Sequence, residues 1–173
     1  GQGIILGEAE AELKELIEKT GIPAAWTILG LSALPTDHPL NVGMLGMHGN
    51  YGPNLLTNEC DVLIALGMRF DDRVTGNLAT YAKQAKVIHF EIDPSEIDKN
   101  VKTTIAVLAD VKESLKALIP LIESKTHESW HNKFKEKYKI EFNAVINEEL
   151  TPTNGGISMG ETMEMINKHS KGD

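Results

Sequence analysis

The chain has 173 residues, 41% of them hydrophobic and 24% charged, and a formal net charge of −8. That is the make-up of a globular domain with a real core, and the negative balance argues against nucleic acid as a partner. Cys60 is the only cysteine, so no intrachain disulfide can form, and no apolar run approaches the roughly 18 residues of a membrane span, so a cytoplasmic home is expected.

The opening GQGIILGEAE has neither a basic n-region nor an apolar h-region, so it does not read as a signal peptide. It lacks an initiator methionine and reads as the start of an excised domain. Gly1-Gln2-Gly3 stands just before a helix, where backbone N–H groups can cradle phosphate. The stretch EAEAELKELIEKTGIP predicts that helix: Ala9, Leu13, Leu16 and Ile17 share a stripe, and Gly21 with Pro23 stops it. Ala24 to Leu29 predicts a short apolar strand. Gly30 to Asn50 predicts a long loop broken by Pro35 and Pro39, and Gly52 to Cys60 a short helix. Further strands are predicted over Asp61 to Leu66, Lys86 to Asp93 and Thr104 to Asp110. Val111 to Ser124 predicts a helix with Val111, Leu115, Leu118, Ile119 and Ile122 in register.

Apolar strands alternating with helices imply an α/β domain with a doubly wound, Rossmann-like parallel sheet. Residues 1–124 are assigned to this nucleotide-binding domain. From about Lys125 a long polar helix is predicted, with Trp130, Phe134, Tyr138 and Phe142 recurring every four residues as a stripe that needs a surface. Residues 125–150 are therefore a helical extension. Its lysines are interleaved with glutamates, so the segment reads as a solvated helix back rather than a nucleic-acid site. His127 and His131 have helical metal spacing, but no third ligand is near, and no metal site is assigned. Residues 151–173 begin with the linker TPTNGG and continue into a further helix.

In open α/β sheets, ligands sit at the carboxyl ends of the strands. Those ends carry Thr27-Ile28, Gly67-Met68-Arg69, Glu91-Ile92-Asp93 and Asp110-Val111. Arg69 and Arg73 lie four apart and share a face if the segment turns helically. Arginine suits phosphate or an electron-rich ring edge. Asp71 or Asp72 equally suits a helix cap, and Asp93 before Pro94 a turn. The set points to a dinucleotide. GQGIILG echoes the nicotinamide fingerprint, but the second strand closes on Thr27-Ile28-Leu29 with no acidic residue, which disfavours nicotinamide. The loop GMLGMHG, Gly43 to Gly49, is glycine-rich and apolar, suited to lie against a flat flavin ring with His48 as a polar edge.

Three runs, GIPAAWTILGLSALPTDHPLNVGMLGMHG, DVLIALGMRFDDRVTGNL and KVIHFEIDPSEIDKN, resemble the middle domain of acetolactate synthase large subunits over about Gly1 to Glu123. The resemblance implies an enzyme that joins two pyruvates, or pyruvate and 2-ketobutyrate, with loss of CO2. It implies thiamine diphosphate and Mg²⁺ in the whole enzyme, and FAD in this domain without net redox chemistry. It further implies a homodimer or tetramer with a regulatory small subunit. Carried over by position, the flavin contacts are Gly1, Gly3, Thr27, Ile28, Met44, Leu45, Gly46, Met47 and His48. They continue through Gly67, Met68, Arg69, Asp71, Arg73, Val74, Glu91, Ile92, Asp93, Asp110 and Val111. Ala109 stands where the family usually has glycine. The activating glutamate and the GDG metal-diphosphate motif belong to flanking domains; this sequence has no GDG, and residues 157–169 resemble only the start of the domain that carries it. No catalytic residue is therefore assigned, and the chain is expected to bind FAD without catalysis. The alternatives are the middle domain of another thiamine-diphosphate carboligase or decarboxylase, or a nucleotide-binding module without chemistry.

A glycine-rich loop before the first helix normally follows a central strand. With no such strand ahead of Gly1, either the residues up to Leu6 rearrange to fill the gap or another chain covers it. The stripe from Trp130 to Phe142 offers covering surface, and the phosphate contact of Gly1 and Gly3 is expected to be displaced.

Overall fold

A computed structural model describes residues 1–153 and 155–170. Part of the linker Thr151 to Gly156 and the last three residues therefore lie outside the described residues. Among those described, the elements are α1 (Gln2–Leu6), α2 (Glu10–Thr20), β1 (Ala24–Trp26), β2 (Asn41–Met44), α3 (Tyr51–Leu56), β3 (Val62–Leu66), α4 (Asp72–Thr75), β4 (Lys86–Glu91), β5 (Ile105–Leu108), α5 (Val111–Leu118), α6 (Glu128–Glu141), α7 (Asn147–Leu150) and α8 (Met159–Ser170). Short 3₁₀ turns follow Thr27, Asp93 and Leu118, and a π turn over Phe142–Ile146 joins α6 to α7.

The fold class is α/β with parallel strands, as the alternation of apolar runs and helices requires. The strands divide into two sheets. β1 pairs with β2, and β3, β4 and β5 pair in that order, every pair parallel. The expected loop from Gly30 to Asn50 contains β2, whose pairing with β1 is irregular between Ala24 and Trp26. Gly43, at φ +104, suppresses the strand signal there while permitting the irregularity. The expected strand Ala24 to Leu29 is shorter, because Ile28–Gly30 turns away as a 3₁₀ helix.

The larger core lies under α2 and α5. Ala9, Leu13, Leu16 and Ile17 are buried together with Ile4, Val111, Leu115 and Ile119. The stripe predicted for α2 is thus the buried face. Gly21 ends the helix in the left-handed conformation, φ +66, and its N–H donates to the Ile17 carbonyl at 2.7 Å. α5 is started by Asp110, whose carboxylate accepts from the Glu113 N–H at 3.1 Å. A second core gathers Ala65, Phe70, Tyr81, Ala82 and Val87 beneath the three-stranded sheet.

α6 runs over α3. A Cβ on Gly52 would lie 3.3 Å from the Lys137 Cβ, so the two helices meet closely there. Lys133 pairs with Glu59 at 3.2 Å, and Asn50 Nδ2 donates to Glu141 Oε1 at 3.3 Å. Trp130 and Phe134 pack edge to face, centroids 5.7 Å apart. Residues 2–6 are helical, so the expected rearrangement of the opening residues into a strand does not occur; the hydrogen bonds Gly7 N–H to Gly3 and Ala9 N–H to Ile4 hold them wound. Among the described residues, no helix is long and apolar enough to cross a membrane.

Leu115 is fully buried at the centre of the larger core. Leu115→Ala is expected to destabilise the chain by about 2–5 kcal/mol, because the cavity adds to the lost transfer energy. Chemical denaturation monitored by circular dichroism checks it.

Candidate functional site

Three chain segments meet where β3 ends. The Gly1 amino group donates to the Leu66 carbonyl at 2.9 Å, and the Gly3 N–H donates to the Gly67 carbonyl at 3.0 Å. Gly67 has φ +54, and a Cβ on it would lie 2.5 Å from the Gly3 Cα. A Cβ on Gly30 would lie 3.1 Å from the Gly1 carbonyl carbon. Backbone is packed on backbone here, and only glycine permits it. This is the physical role of Gly1 and Gly3 in this structure. The Gly1 nitrogen and the Gly3 N–H both donate to carbonyls at the end of β3.

The glycine–methionine loop sits beside this junction. The Leu45 N–H donates to the Trp26 carbonyl at 2.8 Å, tying the end of β2 to the end of β1. Asn54 grips Gly46 from both sides: Gly46 N–H to Asn54 Oδ1 and Asn54 Nδ2 to the Gly46 carbonyl, each 2.8 Å. Asn50 Oδ1 accepts from the Met44 N–H at 2.9 Å, and the Asn50 N–H donates back to the Met44 carbonyl at 2.8 Å. Sequence reasoning passed over both asparagines. Their four-residue spacing at the start of α3 was the available signal. Gly46, at φ +107, comes so close to the Arg73 carbonyl that a Cβ would stand 2.5 Å from it, and the Met47 N–H donates to that same oxygen at 2.7 Å. The loop after β2 is thereby stapled to the segment after β3. His48 is exposed at its tip.

Arg69 and Arg73 are both exposed, but they do not share a helix. Phe70, with φ +46, breaks the chain before α4 and turns its ring into the core. Arg69 pairs with Asp71 at 3.3 Å, and Arg73 reaches the Met47 sulfur at 3.7 Å. Asp71 caps α4, accepting from the Val74 N–H at 3.2 Å. Val74 is half-buried within that helix. Asp93 caps the turn after β4, accepting from the Ser95 N–H at 2.8 Å; hydrogen bonding from the Ser95 side chain, and then from its backbone, holds its carboxyl below the usual range. Glu91 folds back on its own strand end, accepting from the Ile92 N–H at 2.9 Å. Asp110 caps α5, and Val111 is buried in the core with its side chain away from the rim.

Beneath the rim, His89 is fully buried. Its Nε2 lies 2.7 Å from the Met68 carbonyl, and its ring meets Phe70 edge to face at 4.9 Å. This fixes Met68 and Phe70 and so the direction in which Arg69 leaves. Above the rim, Ile28, Leu29, Leu31, Met47 and Ile92 are each more than half exposed. These exposed apolar side chains share the strand ends with two exposed guanidinium groups, that of Arg69 paired with Asp71, and with several carboxylates. The rim's parts come from the ends of all the strands, so it exists only in the folded chain.

Residues 1–118 match the family model described as "Thiamine pyrophosphate enzyme, central domain". The chain is 44% identical over 143 residues to a probable acetolactate synthase large subunit of Methanocaldococcus jannaschii, covering 81% of this chain and 24% of that protein. It is 41% identical over 150 residues to the chloroplastic acetolactate synthase 2 of Zea mays, covering 82% and 23%. It is 48% identical over 122 residues to an acetolactate synthase of Mycobacterium bovis, covering 70% and 20%. The chain thus spans about a quarter or less of the length of these relatives.

Gly67→Ala and Gly76→Ala separate two effects. Both glycines have positive φ, 54° and 56°, but nothing lies within 4 Å of a Cβ on Gly76. Gly76→Ala is expected to cost only the conformational penalty of about 1–3 kcal/mol. Gly67→Ala must also push Gly3 away, and is expected to cost at least ~2 kcal/mol more or to prevent folding. Equilibrium denaturation of both variants checks it.

Proposed function

This chain belongs to the family of thiamine pyrophosphate enzyme central domains, and we propose that it is the cofactor-carrying domain of an acetolactate synthase large subunit. The parent enzyme would condense two pyruvates, or pyruvate and 2-ketobutyrate, in the cytoplasm, with thiamine diphosphate and Mg²⁺ held by other domains. Residues 1–124 would form the flavin domain, 125–150 a helical extension, and 151–173 the linker into the thiamine-diphosphate domain. A regulatory small subunit would be its partner in a homodimeric or tetrameric assembly.

The observation that carries this reading is the rim at the carboxyl ends of the strands. Its exposed apolar residues, Ile28, Met47 and Ile92 among them, would hold the flat face of an isoalloxazine. Arg69 and Arg73 would take phosphate or the ring's electron-rich edge. Asp93 and Asp110, whose caps each use Oδ1, would offer their other carboxylate oxygen to ribose hydroxyls. The donor set therefore fits FAD. In this family the flavin supplies no net redox chemistry. The work of this chain's residues is to bind and orient it: the double clamp of Asn54 on Gly46 and the Met47–Arg73 staple fix the loop.

Flavin-fluorescence titration tests the site. Arg69→Ala and Arg73→Ala are each expected to weaken FAD at least tenfold, about 1.5 kcal/mol for a charge-assisted contact, and His48→Ala less. Equal affinity in all three variants would count against the rim.

A second test concerns chemistry. The 173-residue chain, given pyruvate, thiamine diphosphate, Mg²⁺ and FAD, is expected to form no acetolactate above a protein-free blank, since it carries no GDG motif to hold the metal and diphosphate. Colorimetric assay of acetoin after acid decarboxylation reads it.

A further inference from the structure

Arg69 and Arg73 reach the rim by different routes. Arg73 stands on α4, and its carbonyl is stapled to the glycine–methionine loop through the Met47 N–H. Arg69 lies in the connection between β3 and α4. Its neighbour Phe70 has φ +46, a region that a bulky side chain rarely adopts. Such a residue persists only where its surroundings over-determine it.

Two side chains from distant parts of the chain supply that determination. His89 Nε2 lies 2.7 Å from the Met68 carbonyl. A carbonyl only accepts, so Nε2 carries the proton. Nδ1 is buried with no hydrogen-bond partner among the described residues, so it is the bare nitrogen of a neutral ring. Asn100 Nδ2 donates to the Phe70 carbonyl at 2.9 Å. The Met68 carbonyl belongs to the peptide that enters Arg69, and the Phe70 carbonyl to the peptide that leaves Phe70. Each peptide is planar, so a grip on its oxygen orients the whole plane. The dihedrals of Arg69 and Phe70 are thus spanned between two held ends. Asn100 is itself held. Asp98 Oδ1 accepts from the Thr103 N–H at 2.7 Å and from Thr103 Oγ1 at 2.8 Å, which closes a short loop around Asn100. Asp98 enters that loop at φ +58, a conformation aspartate tolerates better than most residues. Asn100 is exposed, so burial does not force its amide inward.

We propose that His89 and Asn100 are positioning residues for the flavin: a two-point clamp on the peptides flanking Arg69 and Phe70, which aims the Arg69 guanidinium at the cofactor's phosphate or ring edge. The proposal rests on the reading of the rim as a flavin site. Both residues act through Arg69 and need not touch the ligand. Asp71 restrains the other end of the same side chain, pairing with the guanidinium at 3.3 Å. Backbone and head group are therefore both held before the ligand arrives, which reduces the freedom lost on binding. Arg73, held by its own helix and by Met47, is independent of the clamp.

A double-mutant cycle on the 173-residue chain tests the clamp, read by flavin-fluorescence titration and, without flavin, by nitrogen-15 relaxation. Asn100→Ala is the chief variant, since an exposed residue can be truncated without opening the core. It is expected to weaken FAD about fivefold alone and about fivefold over Arg73→Ala, but less than about twofold over Arg69→Ala, because coupled residues are not additive. His89→Leu is expected to follow the same pattern. His89→Gln, whose amide nitrogen can donate from near the place of Nε2, is expected to bind FAD within about twofold of the unaltered chain. A role confined to stability would give equal losses in every background. In the flavin-free chain the Arg69 amide is expected to have an order parameter of about 0.85, falling below about 0.6 in Asn100→Ala, and nitrogen-15 shifts are expected to show His89 as the neutral Nε2–H tautomer. An Asn100→Ala loss that persists over Arg69→Ala, an unchanged Arg69 order parameter, or the Nδ1–H tautomer would overturn the proposal. If no variant and no unaltered chain binds FAD, the flavin reading fails and the ligand named here with it, while the order parameter still decides whether the clamp exists.

Discussion

Backbone packed directly on backbone at Gly1, Gly3, Gly30 and Gly67 is the constraint on which the rest of this structure depends. At Gly1, Gly3 and Gly67 the approach is closer than a Cβ allows, and at Gly30 a Cβ would stand a tight 3.1 Å from Gly1. The junction joins the start of α1, the turn after β1 and the end of β3, and so brings the ends of two sheets that share no hydrogen-bonded ladder to one place. Without it, the loop after β2 and the segment after β3 would have no reason to meet, and the Met47–Arg73 staple could not close. Close approach of this kind is bought with entropy, since glycine loses more freedom on folding than any other residue. The return is a rim whose geometry is fixed by main chain.

The aspartates at the strand ends share one local role. Asp71, Asp93 and Asp110 each accept a backbone N–H at the start of the next turn of structure, at 3.2, 2.8 and 3.1 Å. A cap uses one carboxylate oxygen and sets the direction of the other. The cap therefore pre-orients a polar group at little further entropic cost. The caps recur because every parallel strand after β2 ends where a helix or turn begins.

How much of this was legible in the sequence depends on the range of the interaction. The stripes of α2 and α5 were legible, because helical periodicity is a local signal and the buried residues fall where it puts them. The strands β3, β4 and β5 were legible from their uninterrupted apolar runs. β2 was not: Asn41–Met44 is short, contains Gly43 and holds its register only through β1 and the Asn50 side chain. The strand ends were legible as a set, but not their geometry. Arg69 and Arg73 look like neighbours on a helix until the positive φ of Phe70, imposed by its burial against His89, parts them. The commitment of the Gly1 and Gly3 donors to β3 likewise requires knowing which loop lies across from them.

The same junction explains why side chains, rather than main chain, make up the surface above it. Above Gly1 and Gly67 the strands have ended, so backbone groups turn into caps and clamps, and what remains outside is side chain: arginines, carboxylates and scattered apolar groups. A surface built of side chains selects a ligand by its functional groups. The helix α6 lies elsewhere, over α3: Phe134 and Lys137 approach Gly52, and Lys133 pairs with Glu59. Part of the covering surface that the aromatic stripe offers in the sequence is therefore turned toward the chain's own α3.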